Sequence, residues 1–487
     1  MVDLDVKLPV GRMMLGYVII VALLVLVTVA THFVPAGLYD RVDKVNPETG
    51  MTMNVIVPDS FKYVQPNPQG VLDLLISPVK SLWYKGLIGA IIVVFIILIG
   101  GAFMAMRRTG ALDAGVLRFI KKFKGREQYV IPGLMVFFSL FGAFFGILEE
   151  LTPFIIIVVP MTIAMGYDSI VGLMLIFGAC GVGFTAAMTN PFTVGIAQRI
   201  AEIPLFSGIG FRFLAWLVMI TIAVTYTMVY AARVKKNPAK SLVANFDASV
   251  RKEFVEIERE YSDFTAAHRR VVTLIAVLVV VLFVTMLGGQ LLIPKIMGDI
   301  SLPLVVLIFV IMGIASGLLG GLGAWGTVKA FVKGFITFLP AGLFIMLARA
   351  VIVIADEGRI IDTILFNLSS VVQQFHVVYA SWAMLVVQTI INFFIPSGSA
   401  QAMVTIPVMV PLGELVGITR QVTVLAFQMG DGFSNIFWPT NPLLIVAVSL
   451  AGITWTKWAR FMLPLQLMML LAGFLLLTIA VLIGWGP

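Results

Sequence analysis

Residues Gly142–Pro191 read GAFFGILEELTPFIIIVVPMTIAMGYDSIVGLMLIFGACGVGFTAAMTNP, and the fold turns on them. Two adjacent carboxylates, Glu149 and Glu150, stand inside this run with Phe, Ile, Val and Leu on both sides. An ionised side chain at the centre of a bilayer costs about 2.5–3.5 kcal/mol on insertion scales, so such a pair points to a task of its own. Further on, Thr189-Asn190-Pro191 interrupts a second apolar run. Pro191 withdraws a helix hydrogen bond, and the carbonyls it frees must face protein, water or an ion.

The same stretch recurs at an offset of 251 residues. Pro160 falls on Pro411, Gly166 on Gly417, Val171 on Val422, Gly181 on Gly432, and Thr189-Asn190-Pro191 on Thr440-Asn441-Pro442, without a gap. The Thr-Asn-Pro triplet occurs nowhere else in the chain. Under this offset the tip Gly146–Thr152 corresponds to Ser397–Met403. Interrupted apolar segments at matching positions in two halves are the best sequence pointer to a transporter's binding site.

Composition places the chain in a membrane. It is 60% hydrophobic and 12% charged, with a mean hydropathy of +1.05, which reads as an integral membrane protein. The net charge of +8 would suggest nucleic acid in a soluble protein. Here it clusters between apolar spans, as cytoplasmic loops require, so no nucleic-acid partner is expected. Cys180 is the single cysteine and the three histidines are far apart, which argues against disulfides and a zinc site.

Read in order, the chain gives nine spans and two hairpins, an all-α integral membrane fold. Met13–His32 reads as an uncleaved first helix, and 34–85 as an external loop rich in turn signals. Leu87–Met106 crosses, and Ala111–Lys124 is basic and amphipathic, suited to the cytoplasmic surface. Residues 128–166 form a hairpin around Glu149 and Glu150 that enters and leaves by one face, 168–200 a broken crossing helix, and Phe211–Tyr230 a return. A charged cytoplasmic connector, 233–270, separates the first half (1–232) from the second (271–487). The second half brings Val271–Leu292, Leu302–Leu319, Phe335–Ile354, a surface helix at Asp356–Ser370, a hairpin at 376–416, a broken helix at 420–452 and Ala459–Ile483. With the N-terminus cytoplasmic, the segments 1–12, 107–127, 233–270, 321–335 and 455–460 hold 22 of the 33 Lys and Arg. The two halves then run in opposite directions, the inverted-repeat plan of secondary carriers.

The candidate site lies at the tips and breaks. Glu149 and Glu150 either cap the returning hairpin helix or bind Na⁺, carry a proton or pair with a cationic substrate; two bare charges side by side are unstable there, so one is expected to be protonated or paired when the site is empty. Thr152, at the same tip, is a further candidate ligand for substrate or ion. Ser397, Gly398 and Ser399 offer hydroxyls and a helix N-terminus for anionic groups. Thr189, Asn190, Thr440 and Asn441 supply side-chain oxygens where prolines free carbonyls, and with Ser397 they are candidate Na⁺ ligands. Asp431, the repeat partner of Cys180, breaks the symmetry and is expected to be functional, with Asn435 a turn further on. Arg349 is either a substrate counter-ion or a partner of Asp356. Gly321-Leu-Gly-Ala-Trp-Gly326 matches a dinucleotide fingerprint in letters only, since it follows an apolar span rather than a strand. No Gly-x-Ser-x-Gly, His-Glu-x-x-His or Walker A pattern occurs, so neither an enzyme nor an ATP-driven pump is expected, nor any cofactor beyond Na⁺ or H⁺ as coupling ion.

Glu149-Glu150-x-x-Pro153, Ser397-Gly-Ser-Ala-Gln401, Ala426-Phe-Gln-Met-Gly-Asp-Gly-Phe-Ser-Asn435, Pro439-Thr440, Phe33-Val-Pro-Ala-Gly-Leu-Tyr39 and Asn67-Pro-Gln-Gly70 resemble the YfcC-like carriers. These stand with the ArcD-type basic amino acid antiporters and the anaerobic four-carbon dicarboxylate (DcuC) carriers. The resemblance runs from about residue 12 to the end. It implies a secondary carrier of the ion-transporter superfamily in a bacterial inner membrane, built as a homodimeric elevator on two hairpin tips and two broken helices. The excess of acids at the site tilts the substrate towards small amino acids with a positive group. A dicarboxylate carrier is the alternative within the class, and an ion channel or proton-translocating subunit the alternative outside it.

Overall fold

A computed structural model describes residues 10–45, 52–84, 86–115, 118, 125–248, 264–292 and 294–486. The chain is mostly helical, because long apolar segments must satisfy every backbone group internally once water is absent. Among the described residues six helices are long and apolar enough to cross a membrane: Gly89–Arg108, Gln128–Phe145, Ile209–Lys236, Gly323–Glu357, Val377–Phe394 and Trp455–Leu482. Gln128–Phe145 and Val377–Phe394 are the leading arms of the two expected hairpins, and their return arms are Thr152–Ala164 and Gly398–Leu415. Helices Val10–Ala30, Ala266–Leu292 and Pro294–Leu319 stand where the first, fifth and sixth spans were expected. Most of the basic surface segment Ala111–Lys124, and the middle of the connector, lie outside the described residues.

Three boundaries differ from the sequence reading. The expected span Phe335–Ile354 belongs to one 35-residue helix, Gly323–Glu357. The surface helix begins at Ile361 rather than Asp356, since Glu357 completes the long helix and Arg359 takes a left-handed φ of 56°. The segment 34–85, expected to be an external loop, is not all loop. It holds two antiparallel strand pairs, Gly37–Leu38 with Lys62–Tyr63 and Arg41–Val45 with Thr52–Ile56, followed by helix Val71–Lys80. Asp362 ties this segment down, accepting two bonds from Arg41 (2.7 and 2.8 Å) and one from the Tyr39 amide. The strand Thr52–Ile56 packs against the return arm of the second hairpin.

The helices gather into two bundles, each drawing on both halves of the chain. In one, Ile88–Arg108 packs against Gly323–Glu357 and Pro294–Leu319. Small residues make the approach possible: a Cβ on Gly334 would lie 2.2 Å from the Gly100 carbonyl, and one on Gly313 2.5 Å from Ala102 Cα. The other bundle holds the hairpins, the broken helices, Ile209–Lys236 and Trp455–Leu482. There the broken helices cross closely, with Gly432 against the backbone of Thr185 and Gly181 against Ile436.

The 251-residue repeat reappears as local geometry. Gly166 and Gly417 both take left-handed turns, with φ of 90° and 84°. Two residues on, Asp168 and Thr419 cap the broken helices and accept the amides of Val171 and Val422. At the breaks, Asn190 Oδ1 accepts from Phe192 and Thr193, and Asn441 Oδ1 from Leu443. Each asparagine thus supplies the acceptor that the proline turn requires.

Candidate functional site

The first tip is a left-handed turn at Gly146, φ 68°, that ends the leading arm. Gly146 sits directly on the first break: a Cβ there would lie 2.3 Å from Asn190 Oδ1. The break holds the tip in return, since the amides of Met188 and Thr189 donate to the Ala143 carbonyl and Thr189 Oγ1 donates to that of Phe144 (3.0 Å). Inside the tip, Thr152 Oγ1 donates to the Leu148 carbonyl, so its hydroxyl closes the turn. Cys180 Sγ donates to the Ile147 carbonyl at 2.9 Å. Between these anchors Glu149 is half-buried and Glu150 buried.

The second tip, Ile395–Ser397, meets the first break and the helix that leads into the second. A Cβ on Gly398 would lie 2.4 Å from Thr193 Cγ2, just past the first break, and 2.8 Å from Asp431 Oδ2. Ser397 is exposed, its Oγ 3.5 Å from that of Ser399.

Both tips border one cavity of about 1390 Å³. Glu149, Glu150, Ser397, Gly398, Ser399, Asn435 and Asn441 all line it. Its remaining walls include Arg41, Lys80, Tyr84, Arg349, Asp356 and Asp362, so it reaches the segment 34–85. Arg349 donates from Nε to the Ser81 carbonyl, and Asp356 accepts the Tyr84 hydroxyl. Of the expected site residues, Thr152, Thr189, Asn190, Asp431 and Thr440 stand behind the wall rather than in it.

Behind that wall lies a buried polar network that sequence reasoning had only partly marked. Asn392 Nδ2 donates to Asp431 Oδ1 (2.9 Å) and Gln401 Oε1 (3.0 Å). Gln401 Nε2 donates to the Gln388 side chain and backbone, both at 2.8 Å. Asn435 Nδ2 donates to Asp431 Oδ1 (2.9 Å), and Asn441 Nδ2 to Asn435. Gln428 Nε2 donates to the Phe184 carbonyl across the crossing of the two broken helices. Gln388 and Asn392 were missed because a lone amide in an apolar helix carries no signal until its neighbours are known; their spacing of four, on the face turned to Gln401 and Asp431, was the available hint. Arg212, at the start of the expected span Phe211–Tyr230, is fully buried and bonds Gln421.

The model of the DcuC family, described as C4-dicarboxylate anaerobic carrier, matches residues 13–482. The chain belongs to the DcuC family. It is 34% identical over 91% of each chain to an Escherichia coli (strain K12) protein named "Putative basic amino acid antiporter YfcC". It is also 28% identical, over 96% of each chain, to an uncharacterized protein of Haemophilus influenzae. Among solved structures it aligns with the Alcanivorax borkumensis YdaH transporter at a TM-score of 0.41 and 15% identity, covering 96% of this chain and 98% of that one. The Neisseria gonorrhoeae MtrF structure aligns at 0.40 and 16%, covering 96% and 95%. This DcuC-family chain is a multi-pass membrane transporter and not an enzyme.

Proposed function

We propose that this transporter is a cation-coupled carrier or exchanger of small amino acids, cationic ones favoured, in a bacterial inner membrane with its N-terminus cytoplasmic. The observation that carries the reading is the pair Glu149 and Glu150 at one hairpin tip, bordering the same cavity as Ser397 and Ser399 at the other. A substrate ammonium meets the carboxylates. A substrate carboxylate meets the N-terminus of Gly398–Leu415, where free amides and the helix dipole favour negative charge. The name of the 34%-identical relative supports the same class of substrate. The mouth acids Asp362 and Glu357 are neutralised by Arg41 and Lys80, which leaves the tip pair as the acidic feature deep in the cavity.

The other reading within the class, a four-carbon dicarboxylate carrier, draws on Arg349 in the cavity wall and on the family's own description. A counterflow panel in proteoliposomes separates the two. Labelled lysine or arginine should exchange against unlabelled basic amino acids and not against succinate or fumarate; the reverse pattern would select the dicarboxylate reading. No counterflow with any solute, alongside ionic current, would indicate a channel.

The same proposal takes the halves 1–232 and 271–487 as inverted repeats joined by 233–270, giving nine spans and two re-entrant hairpins that move as an elevator within a homodimer. Its coupling-ion ligands, for H⁺ or Na⁺, are Thr189, Asn190, Ser397, Thr440 and Asn441. Thr440 Oγ1 is buried without a partner. Asn190→Ala and Asn441→Ala should each weaken the apparent affinity for Na⁺ about tenfold, more than that for substrate, because an oxygen ligand and a backbone cap go together. Na⁺ and pH dependence unchanged from wild type in both variants would reduce these asparagines to caps.

A further inference from the structure

The repeat places Cys180 and Asp431 at equivalent positions, and the same offset of 251 carries Ile147 onto Gly398. In the first half the pair forms a latch: Cys180 Sγ donates to the Ile147 carbonyl at the tip. In the second half Asp431 Oδ2 faces the tip at Gly398 but has no partner. Its other oxygen, Oδ1, is held by two amide donors, Asn392 and Asn435. Asp431 is 0% exposed. A buried carboxylate oxygen with no donor is costly, and a proton both removes the charge and supplies the donor that Cys180 already has.

We propose that Asp431 is a proton-operated latch for the second hairpin: protonated, Oδ2–H donates to the Gly398 carbonyl, the counterpart of the Ile147 carbonyl held by Cys180, and keeps the tip shut; ionised, Oδ2 has no partner and the tip is released. The proton reaches it from the cavity, which Asn435 and Gly398 border on either side. Titratable residues on the elements packed against its helix are Cys180, Arg199, Tyr379, Glu414, Lys457 and Arg460. Cys180 is bonded to Ile147, and Glu414 pairs with Arg420 at the far end of the helix. Glu149 and Glu150 lie across the cavity on the first tip. Ser434 and Asn435 both bond the Asp431 backbone carbonyl. This latch assigns the cation of the proposed coupling to a proton and so rests on the carrier reading, yet its test needs no substrate.

The test places Ser399→Cys in a Cys180→Ser background, which keeps a donor towards Ile147, in the full chain reconstituted in proteoliposomes. The rate of labelling by a polar maleimide, corrected for thiolate fraction at each pH, reads the opening of the second tip. With Asp431 present, labelling should slow about fivefold between pH 8.5 and pH 5.5, the population shift expected of one hydrogen bond. Asp431→Asn and Asp431→Ser each carry a permanent donor, so either should label at the slow rate throughout; the one with a wild-type thermal melt is used. Slowing by Na⁺ against choline at fixed pH, with no response to protons, would overturn the latch in favour of a metal-cation site. A pH response that survives in the folded variants would place the titrating group elsewhere. Absence of counterflow by the unsubstituted chain, with the labelling pattern intact in the Ser399→Cys reporter, would count against the substrate reading alone.

Discussion

Neutralising either tip carboxylate, Glu149→Gln or Glu150→Gln, should lower net uptake by about 30-fold or more while insertion and thermal stability stay near wild type. The expectation follows from what each change removes. Gln keeps the shape and most hydrogen bonds of Glu, so the tip, anchored by Gly146 on Asn190 and by Thr152 on the Leu148 carbonyl, keeps its form. What is lost is the charge that an ammonium would meet. Removing one member of a desolvated charge pair costs about 2 kcal/mol at the low end, which is the fold-change stated. The pair's neighbours explain why the loss is not screened. Ile147, Leu148 and Leu151 are buried around it, and Phe144 and Phe145 pack beside the tip, so the apolar surroundings strengthen the charge contact that is lost. If proton and ammonium compete at the pair, wild-type uptake rises with pH as the proton leaves, and that rise should flatten in the variants. Uptake assays in proteoliposomes across about pH 5.5–8.5 read both effects. Normal transport by both variants over that range would make the pair a helix cap and move the binding site elsewhere.

What was legible in the sequence was set by covalent constraints. Gly166 and Gly417, Asn190 and Asn441, and the prolines behind them dictate local backbone geometry with little regard to their surroundings, and their geometry recurs at the offset that their letters share. The tip residues were legible for a related reason, since charge in an apolar run is an anomaly at any position. The network of Gln388, Asn392 and Gln401 was less legible because its meaning is tertiary: three helices had to meet before an amide became a clamp on Asp431. Arg212 was equally silent: at the start of the expected span Phe211–Tyr230 nothing in its neighbours marks it, and packing against Trp485 and Gln421 buries it. The strands of segment 34–85 were hidden because Arg41–Val45 (Arg-Val-Asp-Lys-Val) does not alternate and its anchor, Asp362, lies in the other half of the chain.

Gly183→Ala should be the most damaging single methyl in the hairpin bundle. A Cβ at Gly183 would lie 1.8 Å from the Ser139 carbonyl oxygen, and one at Gly142, on the facing helix, 2.1 Å from that of Cys180. Both obstacles are backbone, so no rotamer change relieves them, and the leading arm must move away from the broken helix. That movement would also strain the Met188 and Thr189 amide bonds to Ala143 and the Cys180 thiol bond to Ile147, so the tip loses its seat with the arm. Overpacking commonly costs about 1–3 kcal/mol, and the upper end applies where the neighbour is main chain. The control lies on the same arm: a Cβ on Gly133 meets nothing within 4 Å, and there Ala should gain up to about 1 kcal/mol from helix propensity. Thermal unfolding of the detergent-solubilised protein should therefore show Gly183→Ala melting well below wild type and Gly133→Ala at or above it. Equal melting of the two variants would mean that the arm and the broken helix are not in backbone contact, and the seating of the first tip on Asn190 would fall with that contact.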